Sequence, residues 1–152
     1  MNKHESMCET YKHKQEVNKL MAEIASYIVS RGIYHDNSKL EEPEASVFAT
    51  YTEKLKDCTY GSEEYKQYLK GMKPALENHY RINAHHPEGH INGIKDMTLI
   101  DLVEMICDWK AATLRHADGD IIRSIELNQK RFGYGDELKQ IFLNTVEQYF
   151  TK

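Results

Sequence analysis

The pentapeptide His35-Asp36-Asn37-Ser38-Lys39 puts an imidazole, a carboxylate and a cation within one short stretch of chain. Histidine and carboxylate together are the ligands that Mn²⁺, Fe²⁺, Co²⁺ and Zn²⁺ accept. A lysine three residues after the aspartate adds a point charge suited to phosphate. More ligand-competent side chains flank the pentapeptide: His13 before it, His79, His85 and His86 after it, then Asp101, Glu104 and Asp108 in an apolar segment. With eight histidines in 152 residues, the pattern points to a metal site that does chemistry on a phosphate.

Each of these residues also has a plain structural explanation. A lone histidine on an apolar helix face, as at His13, is commonly a satisfied core residue. Asp, Asn and Ser favour turns, and Ser38 with Glu41 makes a capping box for a following helix. Histidines such as His79, His85 and His86 cluster on surfaces by chance. Asp101, Glu104, Asp108 and Arg115 form one polar stripe at helical spacing. That stripe is either a narrow solvent face, with Thr98 and Asp101 as a capping-box variant, or a line of charge aimed at a metal, since buried charges are costly unless paired or bound to one. What singles the residues out is their joint occurrence in this order.

The elements that must position them read as helices throughout. Val17, Leu20, Met21, Ile24, Ala25 and Ile28 recur at helical spacing and predict an amphipathic helix over 8–31, with His13 on its inward stripe and Gly32 as its left-handed cap. Pro43 suits the first turn of a second helix with Val47, Phe48, Tyr51 and Leu55 facing in. Gly61-Ser62-Glu63-Glu64 is a break, an N-cap and an acidic first turn. The helix that follows carries Tyr65, Tyr68, Leu69 and Met72, and Gly71 with Pro74 should kink or divide it before a stretch bearing His79. Pro87 disfavours helix at His86, so residues 87–96 read as a loop. From Thr98 to His116 apolar residues cover most of the helical circumference, which predicts a central helix. Two more helices are expected over 119–131 and 137–150. No strand alternation occurs, and the expected fold is all-α, a single domain of six to seven helices over 1–152.

Composition narrows the function classes. The net charge of −4 and the lack of a long basic run give no case for nucleic acid as a partner. No segment approaches a membrane span, and the first residues lack a secretory signal's apolar run. Cys8, Cys58 and Cys107 are scattered without CxxC spacing, which argues against a disulfide framework or thiolate zinc site. These features predict a reduced, cytoplasmic protein.

The order His13, His35-Asp36, Asp108 resembles that of the HD-domain metal-dependent phosphohydrolases, an all-helical family, and Lys39 falls where that family often has a lysine. Members with a second metal add histidines in the interval where His79, His85 and His86 stand. Residues 60–65, Asn83 to Glu88, Cys107-Asp108-Trp109-Lys110 and Arg131-Phe132-Gly133 are similar to a small, largely uncharacterised family of bacterial and phage proteins with HD-like features. That likeness brings no activity. Ser38 stands where many HD members have glycine, and the 87–96 loop has no counterpart in the simplest ones.

The HD resemblance implies metal ligation by His13, His35, Asp36 and Asp108, with Asp36 bridging to a second ion held by His79 and His85 or His86. One or two ions are implied, Mn, Fe or Co rather than Zn. Glu88 or Glu104 would be a general base or would orient an imidazole, and Lys39 and Arg115 would face the substrate's phosphate. The implied activity is hydrolysis of a small phosphorylated molecule, a nucleotide or nucleoside monophosphate, by metal-activated water. The rival readings are a di-iron oxygenase on the same scaffold and a non-catalytic helical interaction module. A homodimer through Phe142, Val146, Tyr149 and Phe150 is a further expectation.

Overall fold

A computed structural model describes residues 2–56, 63–115 and 119–150. The fold is all-α: α1 (Lys3–Tyr34), α2 (Glu44–Lys56), α3 (Glu63–Ile82), α4 (Leu99–Thr113), α5 (Ile121–Phe132) and α6 (Asp136–Tyr149). Short 3-10 turns cover Asn37–Leu40, Pro87–Gly89 and Gly93–Asp96, and no strand occurs among the described residues. No helix among them is long and apolar enough to cross a membrane. The side chains of Leu55 and Tyr65, the Gly61-Ser62 break and cap, Cys58 and the expected helix end at His116 lie outside the described residues. Although periodicity reads as one domain over 1–152, the chain's contacts divide it into two units, Met1–Tyr34 and His35–Lys152.

The first unit is α1 itself. Its apolar stripe exists, but no α1 residue is buried: Leu20, Met21 and Ile24 are 60%, 66% and 50% exposed. Within this unit nothing covers the stripe or His13, both expected to face inward. A 3.6-residue period fixes which side chains share a face, not whether anything covers it. The predicted stop at Gly32 is also corrected. The helix runs through it to Tyr34, and the left-handed residue is Asp36, at φ 56. Glycine permits that conformation without enforcing it.

In the second unit α2 packs on α3. Pro43 precedes α2 after a cis peptide bond with Glu42. Pro74 lies inside α3 without dividing it, because the buried face of Met72, Ala75 and His79 continues across it. Ser38 is not a helix cap; its hydroxyl donates to Glu44. The segment expected as a loop folds into two 3-10 turns. His86 is extended there (φ −97, ψ 115) as Pro87 requires. A Cβ at Gly89 would lie 2.0 Å from the Tyr80 carbonyl oxygen, so only glycine lets this turn sit against the end of α3.

The main core joins α4, α5 and α6: Met105, Ile106, Ile121, Ile125, Tyr134, Phe142 and Val146. Trp109 lies parallel to Phe132 and edge-on to Phe142. The Tyr134 hydroxyl donates to the Ile125 carbonyl at 2.7 Å, and burial pushes its pKa up to about 12. Asp120 caps α5 through the Ile122 and Arg123 amides, and Gly133 closes it at φ 66. Two expectations are revised here. Leu99 (81%) and Val103 (37%) are exposed, so α4 is not wrapped on all sides. Phe142 and Val146 are buried in this core and cannot serve as a docking surface, though Tyr149 is exposed.

Truncating Phe142 to alanine should lower unfolding free energy by about 3–5 kcal/mol, whereas Leu99→Ala should stay within about 0.5 kcal/mol. Denaturant titrations of the two variants compare them directly.

Candidate metal centre

The His35-Asp36 pair follows the end of α1, and Asp36 turns the chain into the Asn37–Leu40 3-10 turn in a left-handed conformation. Aspartate tolerates that region better than most residues. The turn is closed by the Lys39 amide donating to the Asp36 carbonyl at 2.9 Å. This aims the carboxylate at three elements. Asp36 Oδ1 lies 3.3 Å from His79 Nε2 on α3 and 3.5 Å from His85 Nε2 beyond it. Asp36 Oδ2 lies 3.5 Å from His35 Nε2 and accepts from Lys39 Nζ at 2.6 Å. His86 Nε2 is 2.9 Å from His79 Nε2, and His35 Nε2 is 3.5 Å from Asp108 Oδ1 on α4.

Among the described residues two groups can hold an ion: Asp36, His79, His85 and His86, and His35, His85 and Asp108, each with donor atoms within 4.8 Å of one another. Ligands about 2.0–2.2 Å from one ion are themselves separated by up to about 4.4 Å, so small adjustments complete either shell. The strongest indication of fit is a deficit. Asp36 Oδ1 and His85 Nε2 are buried and have no hydrogen-bond partner, although they face each other. Buried polar atoms without partners are rare and costly, and a cation between these two would satisfy both.

Other carboxylates stand behind the imidazoles. Glu104 Oε1 is 2.9 Å from His35 Nδ1 and 3.0 Å from His85 Nδ1, the latter outside hydrogen-bond geometry. Glu44, fully buried at the start of α2, places Oε2 2.9 Å from His79 Nδ1. Carboxylates on the far nitrogen of a histidine are a common feature of metal sites.

Electrostatics divides the imidazoles into two kinds. Hydrogen bonding to Asp108, then to Glu104, pushes His35 up to about 10 against the effect of burial. Burial, then the neighbouring His85 and His79, holds His86 down to about 3. Burial also lowers His79. Burial works to raise Asp36 and Asp108, but Lys39 and His35 respectively outweigh it, and both carboxyls titrate below their ordinary range. Neutral His79 and His86 have lone pairs to give, while the proton on His35 occupies a place in a carboxylate-rich setting that a metal ion would take.

The structure thus brings together His35, Asp36, His79, His85, His86 and Asp108. It does not bring all expected residues in. His13 is exposed in the other unit and belongs to neither group. Glu104 backs two imidazoles. Glu88 pairs with Arg131 and leaves its other oxygen 3.9 Å from His86 Nδ1. Arg115 is exposed beyond the end of α4, and no site contact among the described residues involves it. Asp101 forms the capping box, its Oδ2 accepting from the Thr98 amide at 2.8 Å. Glu44, Asn78 and Asn83 were not legible as site residues: in sequence Glu44 reads as an acidic first-turn residue complementing the helix dipole.

Fold and site together define an all-α protein with a buried histidine–carboxylate cluster. The chain belongs to the family described as Family of unknown function (DUF5662), whose model matches residues 2–152. No curated protein and no solved structure matches it.

The charge pattern sets a pH dependence for metal-free protein. His35, with a raised pKa, contributes stability that is complete below about 6.5 and lost as pH rises toward about 10. His86, with a depressed one, contributes stability present above about 6.5 and lost as pH falls toward about 3. Thermal unfolding across this range should show the alkaline decline flattened in Asp108→Asn and the acid decline flattened in His86→Gln.

Proposed function

We propose that the protein is a metal-dependent phosphohydrolase that cleaves a phosphate ester of a small molecule, a nucleotide or nucleoside monophosphate. The observation that carries this reading is the pair of buried, unsatisfied atoms, Asp36 Oδ1 and His85 Nε2, inside a cluster of ligand-type nitrogens and oxygens. The resemblance of His35-Asp36, Lys39 and Asp108 to HD-domain phosphohydrolases supports the reaction class. A bound divalent ion supplies two things at such a site: a water of lowered pKa and polarisation of a phosphoryl oxygen. Donors limited to N and O favour Mn²⁺, Fe²⁺ or Co²⁺.

The chain's own residues do the rest. Asp36, with Oδ1 toward His79 and His85 and Oδ2 toward His35, is the carboxylate that would serve both groups. Glu104 holds His35 with its Nε2 toward Asp36 and Asp108. Lys39 is engaged by Asp36 and lies 5.2 Å from the centre of the Phe48 ring; with Asp36 committed to an ion, Lys39 would be the residue to meet the substrate's phosphate.

The nitrogen-rich group of His79, His85 and His86 around Asp36 also favours a second reading, a di-iron oxygenase. That reading predicts a coloured protein that consumes oxygen.

Protein reconstituted with Mn²⁺ or Fe²⁺ and assayed against nucleoside monophosphates should release phosphate. Chelator, Asp36→Ala and Asp108→Ala should each abolish the release. Lys39→Ala should lower kcat/KM by about tenfold or more, the usual loss for a hydrogen bond to a charged group. A metal-loaded protein that releases no phosphate but consumes oxygen would replace this reading with the second.

A further inference from the structure

A hydrogen-bond network behind His79 decides whether its Nε2 presents a lone pair or a proton to the cluster. Glu44 receives three contacts in full burial. Asn78 Nδ2 donates to Oε1 at 2.8 Å, the Ser38 hydroxyl donates to Oε2 at 2.9 Å, and His79 Nδ1 lies 2.9 Å from Oε2. Asn83 Nδ2 also lies 3.0 Å from His79 Nδ1. Its two protons have better-placed acceptors, however: Ser38 Oγ at 2.8 Å and the His79 carbonyl at 2.9 Å. The Ser38 hydroxyl, 3.2 Å from the same nitrogen, gives its single proton to the nearer Glu44 Oε2, so the proton between His79 and Glu44 is histidine's own, carried on Nδ1. A neutral imidazole protonated there has its lone pair on Nε2, and that atom faces Asp36 Oδ1 at 3.3 Å and His86 Nε2 at 2.9 Å.

We propose that Glu44 is a positioning residue that locks His79 in the Nδ1–H form and so governs chiefly one of two cation positions, that of Asp36, His79 and His86, rather than the neighbouring one of His35 and Asp108, with His85 common to both groups and Glu104 behind His35. This rests on the metal reading above, and it assigns separate orienting carboxylates to the two positions.

The geometry makes a specific forecast for Glu44→Gln. Arg81 donates to Asn78 Oδ1 at 2.7 Å, which fixes the Asn78 amide with its Nδ2 toward residue 44. A glutamine must then offer its oxygen to Asn78 and its NH₂ to His79 Nδ1, because two donors cannot face each other. The imidazole is driven to the Nε2–H form, with a proton where the ion would bind. Removing the Asn78 amide lets the glutamine turn its oxygen back to His79, so adding Asn78→Ala should restore the wild-type state. A merely structural role for Glu44 gives no reason for a second truncation to rescue the first.

Two readouts test this. Nitrogen-15 imidazole spectra of metal-free protein should show His79 as Nδ1–H in wild type, Nε2–H in Glu44→Gln and Nδ1–H again in the double variant. Mn²⁺ dialysis with metal analysis should show two ions per wild-type chain. In Glu44→Gln one should weaken about 10–100-fold, the usual effect of losing such a partner, and the other by clearly less. An Nε2–H His79 in wild type overturns the proposal even if the variant fails to fold. So does a wild type binding two ions whose Glu44→Gln form keeps both at full affinity or weakens both equally. A wild type with the Nδ1–H form and no bound Mn²⁺, Fe²⁺ or Co²⁺ overturns the metal reading and the two-position assignment with it, while leaving the Glu44–His79 contact standing.

Discussion

The Asp36 carboxylate is the constraint around which the second unit is arranged. Its oxygens lie within 3.5 Å of His35, His79 and His85, and its cationic partners are Lys39 and the His35 imidazole, whose pKa is raised to about 10. A carboxylate placed among imidazoles loses much of its hydration and regains only part of it through Lys39 and His35. One oxygen has no hydrogen-bond partner. The left-handed backbone at Asp36 is what turns the side chain inward, so local conformation and local charge both depart from the ordinary at the same residue. Such departures concentrate where structure serves function.

The remaining architecture supplies the walls. α3 delivers His79 and, through its terminus, His85 and His86; Pro87 keeps His86 extended, and Gly89 allows the following turn to close on α3. α4 delivers Glu104 and Asp108. It is held by its capping box at one end and by the aromatic core with α5 and α6 along its length. The polar stripe of α4 thus resolves into distinct duties: Asp101 caps the helix, Glu104 backs two imidazoles, and Asp108 faces His35. Glu104 and Glu44 meet the Nδ1 atoms of different histidines, His35 and His85 for the first and His79 for the second.

Much of this was legible in sequence. The all-α class followed from periodicity, and the helices around Val47, Met105 and Phe142 appear close to where their patterns put them. His35, Asp36, His79, His85, His86 and Asp108 were chosen by residue type and order, and they do converge. What was not legible shares one cause: burial is a property of pairs of elements, and a single helix's pattern does not name its partner. The α1 stripe therefore read as inward and is exposed, Phe142 and Val146 read as a docking face and fill the core, and Leu99 read as buried and is not. Glu44 was missed for the same reason. Its partner His79 is 35 residues away, with no local spacing to connect them.

The central claim is that Asp36 and His85 are left unsatisfied because a cation belongs between them. The most direct test is an anomalous-scattering map from crystals of the protein soaked in Mn²⁺. The account predicts a peak within coordination distance, about 2.0–2.3 Å, of Asp36 Oδ1 and His85 Nε2. A well-ordered cluster with no anomalous peak near Asp36, or with ordered water alone between those two atoms, would contradict it.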